Sequence, residues 1–499
     1  MNRIRNIYFR GSLRSCNYQC SYCSFGKKIG ETDKERDQQA HSLFYDNIAQ
    51  WIDPLRIMLI PYGEGLIHTY YQEAMIRLSL LSHVEGISCQ TNLSFQPSSF
   101  IKRIQAHHAT IAKIKLWASF HPEMTSIDTF IEKVHQLYYA GIELCVGVVG
   151  SRRNKDTIAV LRQKLDKRIY LFINALQGGS DLLHTDDISF FTSIDPFFLS
   201  DYKNAKADIS RCSGGRDTIF VNHKGNVHPC PRNPVKIGDI TDRESFVKPV
   251  CPRERCDCYI GYSNLPDTRL SRMMGKGILF RIPEKRKIEA IFFDIDGTLT
   301  DSTGRISGSC KEAVELLSET VPLYLATALP LLPAKRRLGN LFHLFTGGVF
   351  ADGAHIHYQD NDVYIPLKPI PDIQKKGCEV REYIAGQHII YKYVLKMPSA
   401  EQTRTVMKTL ENQDYNLHHQ GVFLAITAKK AGKKSGLETI CRKEHINLKN
   451  VVAIGNTAQD SSMLSAVGYP CAVLDAEDTL KQMAGYILNP DHLPLFFKS

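Results

Sequence analysis

Three cysteines, Cys16, Cys20 and Cys23, stand in the run SCNYQCSYCSF, with three residues between the first pair and two between the second. Three thiolates on one loop can hold three irons of a 4Fe–4S cube and leave the fourth iron open for a substrate. A structural zinc site wants a fourth ligand. A second group follows downstream: Cys212, Cys230, Cys251, Cys256 and Cys258, five cysteines within 47 residues. Thiols clustered this way in a reducing compartment suggest metal rather than disulfides. The span VNHKGNVHPC reads as a hairpin turning at Lys224–Gly225, which returns Cys230 to the side of Cys212. Far from both groups, IFFDIDGTLTDS sets Asp294 and Asp296 two apart at the end of an apolar strand, so both side chains point the same way. One carboxylate can attack phosphorus while the other handles protons, and an aspartyl-phosphate route splits one hard hydrolysis into two easier steps. Magnesium shared by the pair would screen the repulsion between carboxylate and phosphate.

These residues need elements to hold them. The apolar runs NIYFRG, RIMLIPY, GISCQT, KIKLWASF, IELCVGVVG and IYLFINAL alternate with amphipathic stretches such as SIDTFIEKVHQLYYAG. Strand–helix alternation implies an α/β fold with parallel strands and crossover helices, either a barrel-like or a doubly wound sheet. Active residues then belong at the C-terminal strand ends, and the first cysteine run directly follows the first strand. From about 201 to 265 Cys, Gly, Pro and Arg rise and helical periodicity fades, as in a small module held by ligands. Residues 266–287 read as a linker, and IEAIFFD opens a second α/β region. The expected domains are therefore 1–200, 201–265 and 288–499, with the linker between the last two.

The chain has 499 residues, too many for one core. Hydrophobic residues make up 43% and charged residues 23%, an ordinary globular composition. No apolar run is long enough to span a bilayer, and MNRIRNIYFRGSL has no signal-peptide core. No membrane association and a cytoplasmic address are expected. The net charge of +10 is spread along the chain, so an anionic small molecule is the expected partner rather than nucleic acid.

The first cysteine spacing resembles the radical S-adenosylmethionine (SAM) signature. The resemblance implies a partial (β/α)6 barrel in which SAM chelates the open iron. An electron, from a reductant such as flavodoxin or ferredoxin, then cleaves SAM to methionine and a 5′-deoxyadenosyl radical. Tyr22 matches the aromatic that packs near the adenine. PYGEG resembles the family's Gly-Gly-Glu segment: Gly63 and Glu64 match and would hold SAM's amino group, while Tyr62 replaces the first glycine. Asn92 in QTN matches another SAM-side position, and Ser119 and His121 in SFHPE lie where they could reach SAM or substrate. A zinc knuckle completed by a distant histidine leaves PYGEG and the barrel context unexplained. The second cysteine group resembles the SPASM/twitch extension and implies an auxiliary 4Fe–4S cluster held by Cys212, Cys230 and two of Cys251, Cys256 and Cys258. Zinc is the alternative there.

The motif D-x-D-G-T-L-T resembles the opening of the haloacid dehalogenase superfamily and implies a Rossmann-like domain. By that resemblance Asp294 is the nucleophile, Asp296 the general acid/base, Thr327 of LYLATALP the second motif and Lys433 the third, with Lys434 as the alternative. The fourth motif reads GNTAQD. Asp460 is retained, and Asn456 replaces an acid, removing one negative charge from a magnesium site built from Asp294, Asp296, Asn456 and Asp460. About 105 residues separate Thr327 from Lys433. They include FADGAHIHY, and they resemble the α+β cap of Cof-type members, expected at about 330–430. Together the two halves imply a bifunctional biosynthetic enzyme. The radical half would abstract a hydrogen from an anionic, phosphorylated small molecule, and the other half would remove a phosphate. The competing readings are a radical SAM peptide maturase fused to a phosphatase-like domain, a binding-only phosphatase fold, and a redox-sensing scaffold.

Overall fold

The computed structural model describes residues 4–23, 31–176, 183–202, 212–242, 246, 251, 256, 264–265, 268–370, 377–386, 388–411 and 414–497. Two compact units divide the chain, Met1–Glu284 and Lys285–Ser499. Among the described residues, no helix is long and apolar enough to cross a membrane.

The first unit is built on strand–helix repeats: β1 (Asn6–Arg10), α1 (Glu31–Ile48), β2 (Leu55–Leu59), α2 (Thr69–Leu80), β3 (Val84–Thr91), α3 (Pro97–Ala106), β4 (Ile114–Phe120), α4 (Ile127–Tyr139), β5 (Glu143–Gly150), α5 (Lys155–Lys164) and β6 (Leu171–Ala175). The six apolar runs of the sequence become these six strands, lying side by side in chain order and all parallel. Buried on both faces, such strands read as near-continuous apolar runs rather than alternating ones. Ile57, Ile87, Leu116, Val146 and Ile173 fill the core they share with the helices. After α6 (Thr185–Ile194) and α7 (Phe198–Tyr202) come β7 (Thr218–Asn222), β8 (Asn226–His228) and β9 (Gly238–Asp239). Of the stretch expected to stand apart as a ligand-held module, the described residues 212–242 extend the same sheet: β7 pairs parallel with β1, and β8 and β9 follow antiparallel.

The expected linker, 266–287, is corrected in its described part. Thr268 caps α8 (Arg269–Met274) by accepting from Ser271 N at 3.0 Å. Cys145 Sγ donates to the Phe280 carbonyl. Arg281 is fully buried, with its guanidinium 4.5 Å from the Phe172 ring centre. Residues 268–284 are thus packed onto the first unit.

The second unit runs β10 (Ala290–Phe293), α9 (Gly308–Ser318), β11 (Leu323–Ala326), α10 (Leu331–Leu338), β12 (Gly347–Phe350), β13 (His355–Tyr358) and β14 (Asn361–Tyr364). There follow β15 (Glu379–Ala385), β16 (Ile389–Lys396), α11 (Ala400–Leu410), β17 (Tyr415–Gln420) and β18 (Phe423–Ala428). The chain closes with α12 (Lys433–Lys443), β19 (Val451–Gly455), α13 (Ser461–Leu464), β20 (Tyr469–Ala472), α14 (Asp478–Met483), β21 (Tyr486–Ile487) and α15 (Leu493–Phe496). Its main sheet has the order β14-β13-β12-β11-β10-β19-β20-β21, a Rossmann-like arrangement with β10 at the centre. The insertion is shorter than expected. FADGAHIHY does not belong to it, because β12 pairs parallel with β11 and the β13–β14 hairpin extends the main sheet. The cap is the separate antiparallel sheet β15-β16-β18-β17, with Val406 and Leu410 of α11 packed on Tyr393, Leu395, Leu424 and Ile426.

Candidate active sites

In the first unit, the loop after β1 carries Cys16 and Cys20, both half-buried, and Cys23, which is exposed. The loop is fixed from below by Asp37 of α1, fully buried, which accepts from Leu13 N at 2.9 Å and from the Tyr70 hydroxyl at 2.8 Å. Burial pushes the Asp37 carboxyl above its ordinary value, against these hydrogen bonds. A Cβ on Gly11 would lie 1.9 Å from Asp37 Oδ1, so only glycine leaves room. Asp37 escaped the sequence reading because a single acid in the polar run ETDKERDQQA carries no mark of burial.

The PYGEG segment is laced to the same loop. A Cβ on Gly63 would lie 1.7 Å from the Ser15 carbonyl oxygen, and Glu64 N donates to that oxygen at 3.1 Å. Tyr62 lies under the Arg10 guanidinium, 4.3 Å from its ring centre. The Glu64 carboxylate accepts from Leu66 N (3.0 Å), Thr91 Oγ1 (2.8 Å) and Asn92 N (2.5 Å). Desolvation pushes its pKa up to about 7 despite these three donors. Asn92 in turn places its amide 3.2 Å from Asn17 Oδ1 and 3.9 Å from Cys16 Sγ. Glu64 therefore braces the end of β3, and Asn92 transmits that brace to the cysteine loop.

His121, just past β4, sits beside the second cysteine. Its Nδ1 is 3.4 Å from Cys20 Sγ and 3.0 Å from the Tyr22 hydroxyl, and the two rings are nearly parallel at 14°. Ser119 lies within β4, half-buried. In the second cysteine group, β7 and β8 turn at Gly225, whose φ is +82°. Gly214 shows that the hairpin brings the 229–230 end back toward Cys212: its Cβ position would lie 3.4 Å from Cys212 Sγ and 2.9 Å from the Pro229 carbonyl oxygen. Cys230, Cys251 and Cys256 are half-buried, and Cys258 lies outside the described residues. The donors facing Cys16, the Tyr18 N–H at 3.4 Å and the Asn92 amide, suit thiolate sulfurs that hold iron, because such donors stabilise negative charge on sulfur.

In the second unit, β10, β11 and β19 lie adjacent with Phe293 opposite Leu325 and Ile454. Their C-terminal ends therefore carry Asp294, Thr327 and Asn456 to one edge of the sheet. Lys433 opens α12, and its Nζ donates to Asp294 Oδ1 at 2.7 Å and to Asp460 Oδ1 at 2.6 Å. All three side chains are buried. Burial raises the pKa of Asp294, Lys433 draws it down, and Asp460 raises it again. The other oxygen of Asp460 accepts from the backbone N–H of Asn456 (2.9 Å) and Thr457 (3.1 Å). Asn456 lies directly over the Asp-x-Asp loop. A Cβ on Gly297, where φ is +80°, would come within 2.0 Å of Asn456 Nδ2, and Thr298 Oγ1 donates to Asn456 Oδ1 at 3.4 Å. Thr327 is buried and its Oγ1 accepts from Leu329 N at 3.1 Å. Asp296 is half-exposed and pairs with Arg337 at 2.8 Å. Lys434 points elsewhere, 3.9 Å from Glu438.

Two residues that the sequence did not flag join this site to the cap. Lys392 of β16 is buried and donates to Asp352 Oδ2 at 2.9 Å and to the Ala328 carbonyl at 2.7 Å, one residue past Thr327. Burial opposes ionisation of Asp352, but Lys392 outweighs it and holds the carboxyl below its usual range. Ala351 and Asp352 take left-handed φ values of 52° and 54° to present this carboxylate. The available signal was a lysine inside the apolar strand IIYKYVL.

Replacing Lys433 by methionine is expected to cost about 3 kcal/mol of stability, because two buried carboxylates lose their cation. The deficit grows as pH rises. Without Lys433 the buried Asp294 carboxyl loses the cation that draws its pKa down and titrates still further above the ordinary value of about 4, so the folded state binds more protons than the unfolded state and loses stability with increasing pH. Urea unfolding of the full chain at pH 5 and pH 8 checks this, and equal deficits at both would contradict it.

Known proteins locate this second site in a family. A family model for haloacid dehalogenase-like hydrolases matches residues 291–397 and 386–492. Among curated relatives, a phosphoglycolate phosphatase of Methanobrevibacter smithii is 27% identical over 225 residues, covering 41% of this chain and 94% of that protein. One of Methanothermobacter thermautotrophicus is 27% identical over 215 residues, with the same shares. A solved haloacid dehalogenase-like hydrolase from Bacteroides thetaiotaomicron is 19% identical with a TM-score of 0.37, covering 41% of this chain and 96% of that one. The C-terminal part of the chain is a haloacid dehalogenase-like hydrolase domain.

Proposed function

We propose that the chain joins two enzymes of one biosynthetic route: a radical SAM enzyme in Met1–Glu284 and a magnesium-dependent phosphatase in Lys285–Ser499. The phosphatase reading rests on the buried Asp294–Lys433–Asp460 triad at the sheet edge. Asp294 attacks phosphorus, Lys433 steadies the carboxylate and the incoming phosphate, and Asp296 carries the proton between leaving group and water. Cap residue Lys392 keeps the loop after Thr327 in place through Ala328. The donor set fits magnesium, since Asp294, Asp296, Asn456 and Asp460 all offer hard oxygens. Bound there, the ion would offset negative charge on the phosphate. The substrate is a small phosphate ester, and phosphoglycolate, named in the relatives, is the first to try.

The radical reading rests on three thiols in the loop after β1, held against Glu64 and Asn92. The residues fit a 4Fe–4S cluster with one open iron, which would supply one-electron cleavage of SAM. Gly63 and Glu64 shape the loop that would face the cofactor, and Tyr22 and His121 stand beside Cys20. A second cluster held by Cys212, Cys230 and two of Cys251, Cys256 and Cys258 belongs to the same reading.

The full chain, given magnesium and a panel of small phosphate esters, should release phosphate only at raised magnesium. Asn456→Asp should lower the magnesium needed for half-maximal rate about tenfold, because a carboxylate replaces a neutral amide oxygen. An unchanged requirement would defeat the assignment of Asn456 to the metal, and no turnover of any ester at saturating magnesium would defeat the phosphatase reading.

A further inference from the structure

The β13–β14 hairpin, outside the Asp294 site, gathers three side chains of metal-ligating type. His355 and His357 are two apart on β13 and so face the same side of the sheet. Asp362 on β14 stands directly opposite His357 in the antiparallel register. His355 Nε2 lies 2.6 Å and His357 Nδ1 2.9 Å from the same oxygen, Asp362 Oδ1. The three ligand atoms all lie within 4.8 Å of one another, and among the described residues no other His, Cys, Asp or Glu group does this.

We propose that His355, His357 and Asp362 form a zinc-class metal site. Two imidazole nitrogens and one carboxylate oxygen are the ligand types that favour zinc over magnesium or calcium. With ligands about 2.0–2.1 Å from the ion, the edges of a tetrahedron are roughly 3.3 Å. The two nitrogen–oxygen separations here need to open by less than an ångström to reach that. Two of the ligands are anchored well. His355 is buried, stacked on Tyr364 at 4.3 Å between ring centres, and the strand register fixes His357 against Asp362. Asp362 and His357 are partly exposed, which gives the ion a path in and leaves a fourth position to water. The placement also has a consequence for the cap. The chain leaves β14 at Tyr364, Ile365 N donates to the Ala354 carbonyl, and Leu367 N donates to Ile390 of cap strand β16. An ion clamping β13 to β14 stiffens the strand from which the chain enters the cap.

The test uses the full chain, stripped with a chelator, equilibrated with zinc and dialysed, with metal counted by mass spectrometry. The cysteine groups contribute equally in every variant, so the difference between variants reads the hairpin alone. His357→Gln and Asp362→Asn, both at exposed or half-buried positions, should each bind about one zinc fewer than the parent. Asp362→His replaces one ligand by another and should keep the parent count, which separates ligand loss from damage to the hairpin. Equal zinc in the parent, His357→Gln and Asp362→Asn would overturn the site. Loss of zinc in Asp362→His as well would overturn the role of Asp362 as a ligand.

Discussion

Asp294→Asn is expected to abolish phosphate release by the full chain: turnover should fall by at least about 10³-fold on every ester the parent hydrolyses, because the proposed attacking oxygen is replaced by an amide. The fold should survive. Asparagine is nearly isosteric, Lys433 keeps its 2.6 Å bond to Asp460, and the strand pairing around β10 does not involve the side chain. One buried negative charge is removed from beside Asp460, which relieves the repulsion between the two carboxylates. Phosphate release and thermal unfolding, measured together, check the two halves of the expectation. Turnover within tenfold of the parent, in a protein that unfolds at the parent temperature, would show that another group attacks phosphorus.

The elements that position both sites are written locally, and so the sequence shows them. Each of the six strands β1–β6 is a short, mainly apolar run, as buried parallel strands must be. The Asp-x-Asp pair announces itself because it directly follows the apolar strand β10, and Lys433 because it heads the amphipathic run KKSGLETICRK. What was hidden depends on partners far away in the chain. Residues 268–284 look like a basic linker, yet Arg281 is buried against Phe172, more than a hundred residues earlier. The strands β12–β14 read as part of an inserted cap, since strand character alone does not say which sheet a strand joins, and their pairing to β11 decides it. Asp37 and Lys392 look like surface charges until their partners, Leu13 N with Tyr70 and Asp352 with Ala328, are seen. Sequence spacing identifies reactive groups, while the buried carboxylates and lysine that brace them are visible only in three dimensions.

The two-enzyme account stands or falls most directly on the cysteine loop. If Cys16, Cys20 and Cys23 hold the open cluster, anaerobically reconstituted full-length protein with dithionite and SAM releases 5′-deoxyadenosine even without substrate. Cys20 is the residue to change. It lies mid-loop beside His121 Nδ1, and three thiolates are already the minimum for holding three irons. Cys20→Ala is expected to remove this activity while leaving phosphate release by the C-terminal part unchanged, because Lys285–Ser499 forms its own compact unit. 5′-Deoxyadenosine formed by Cys20→Ala at the parent rate, or none formed by an iron-loaded parent, would contradict the radical SAM assignment.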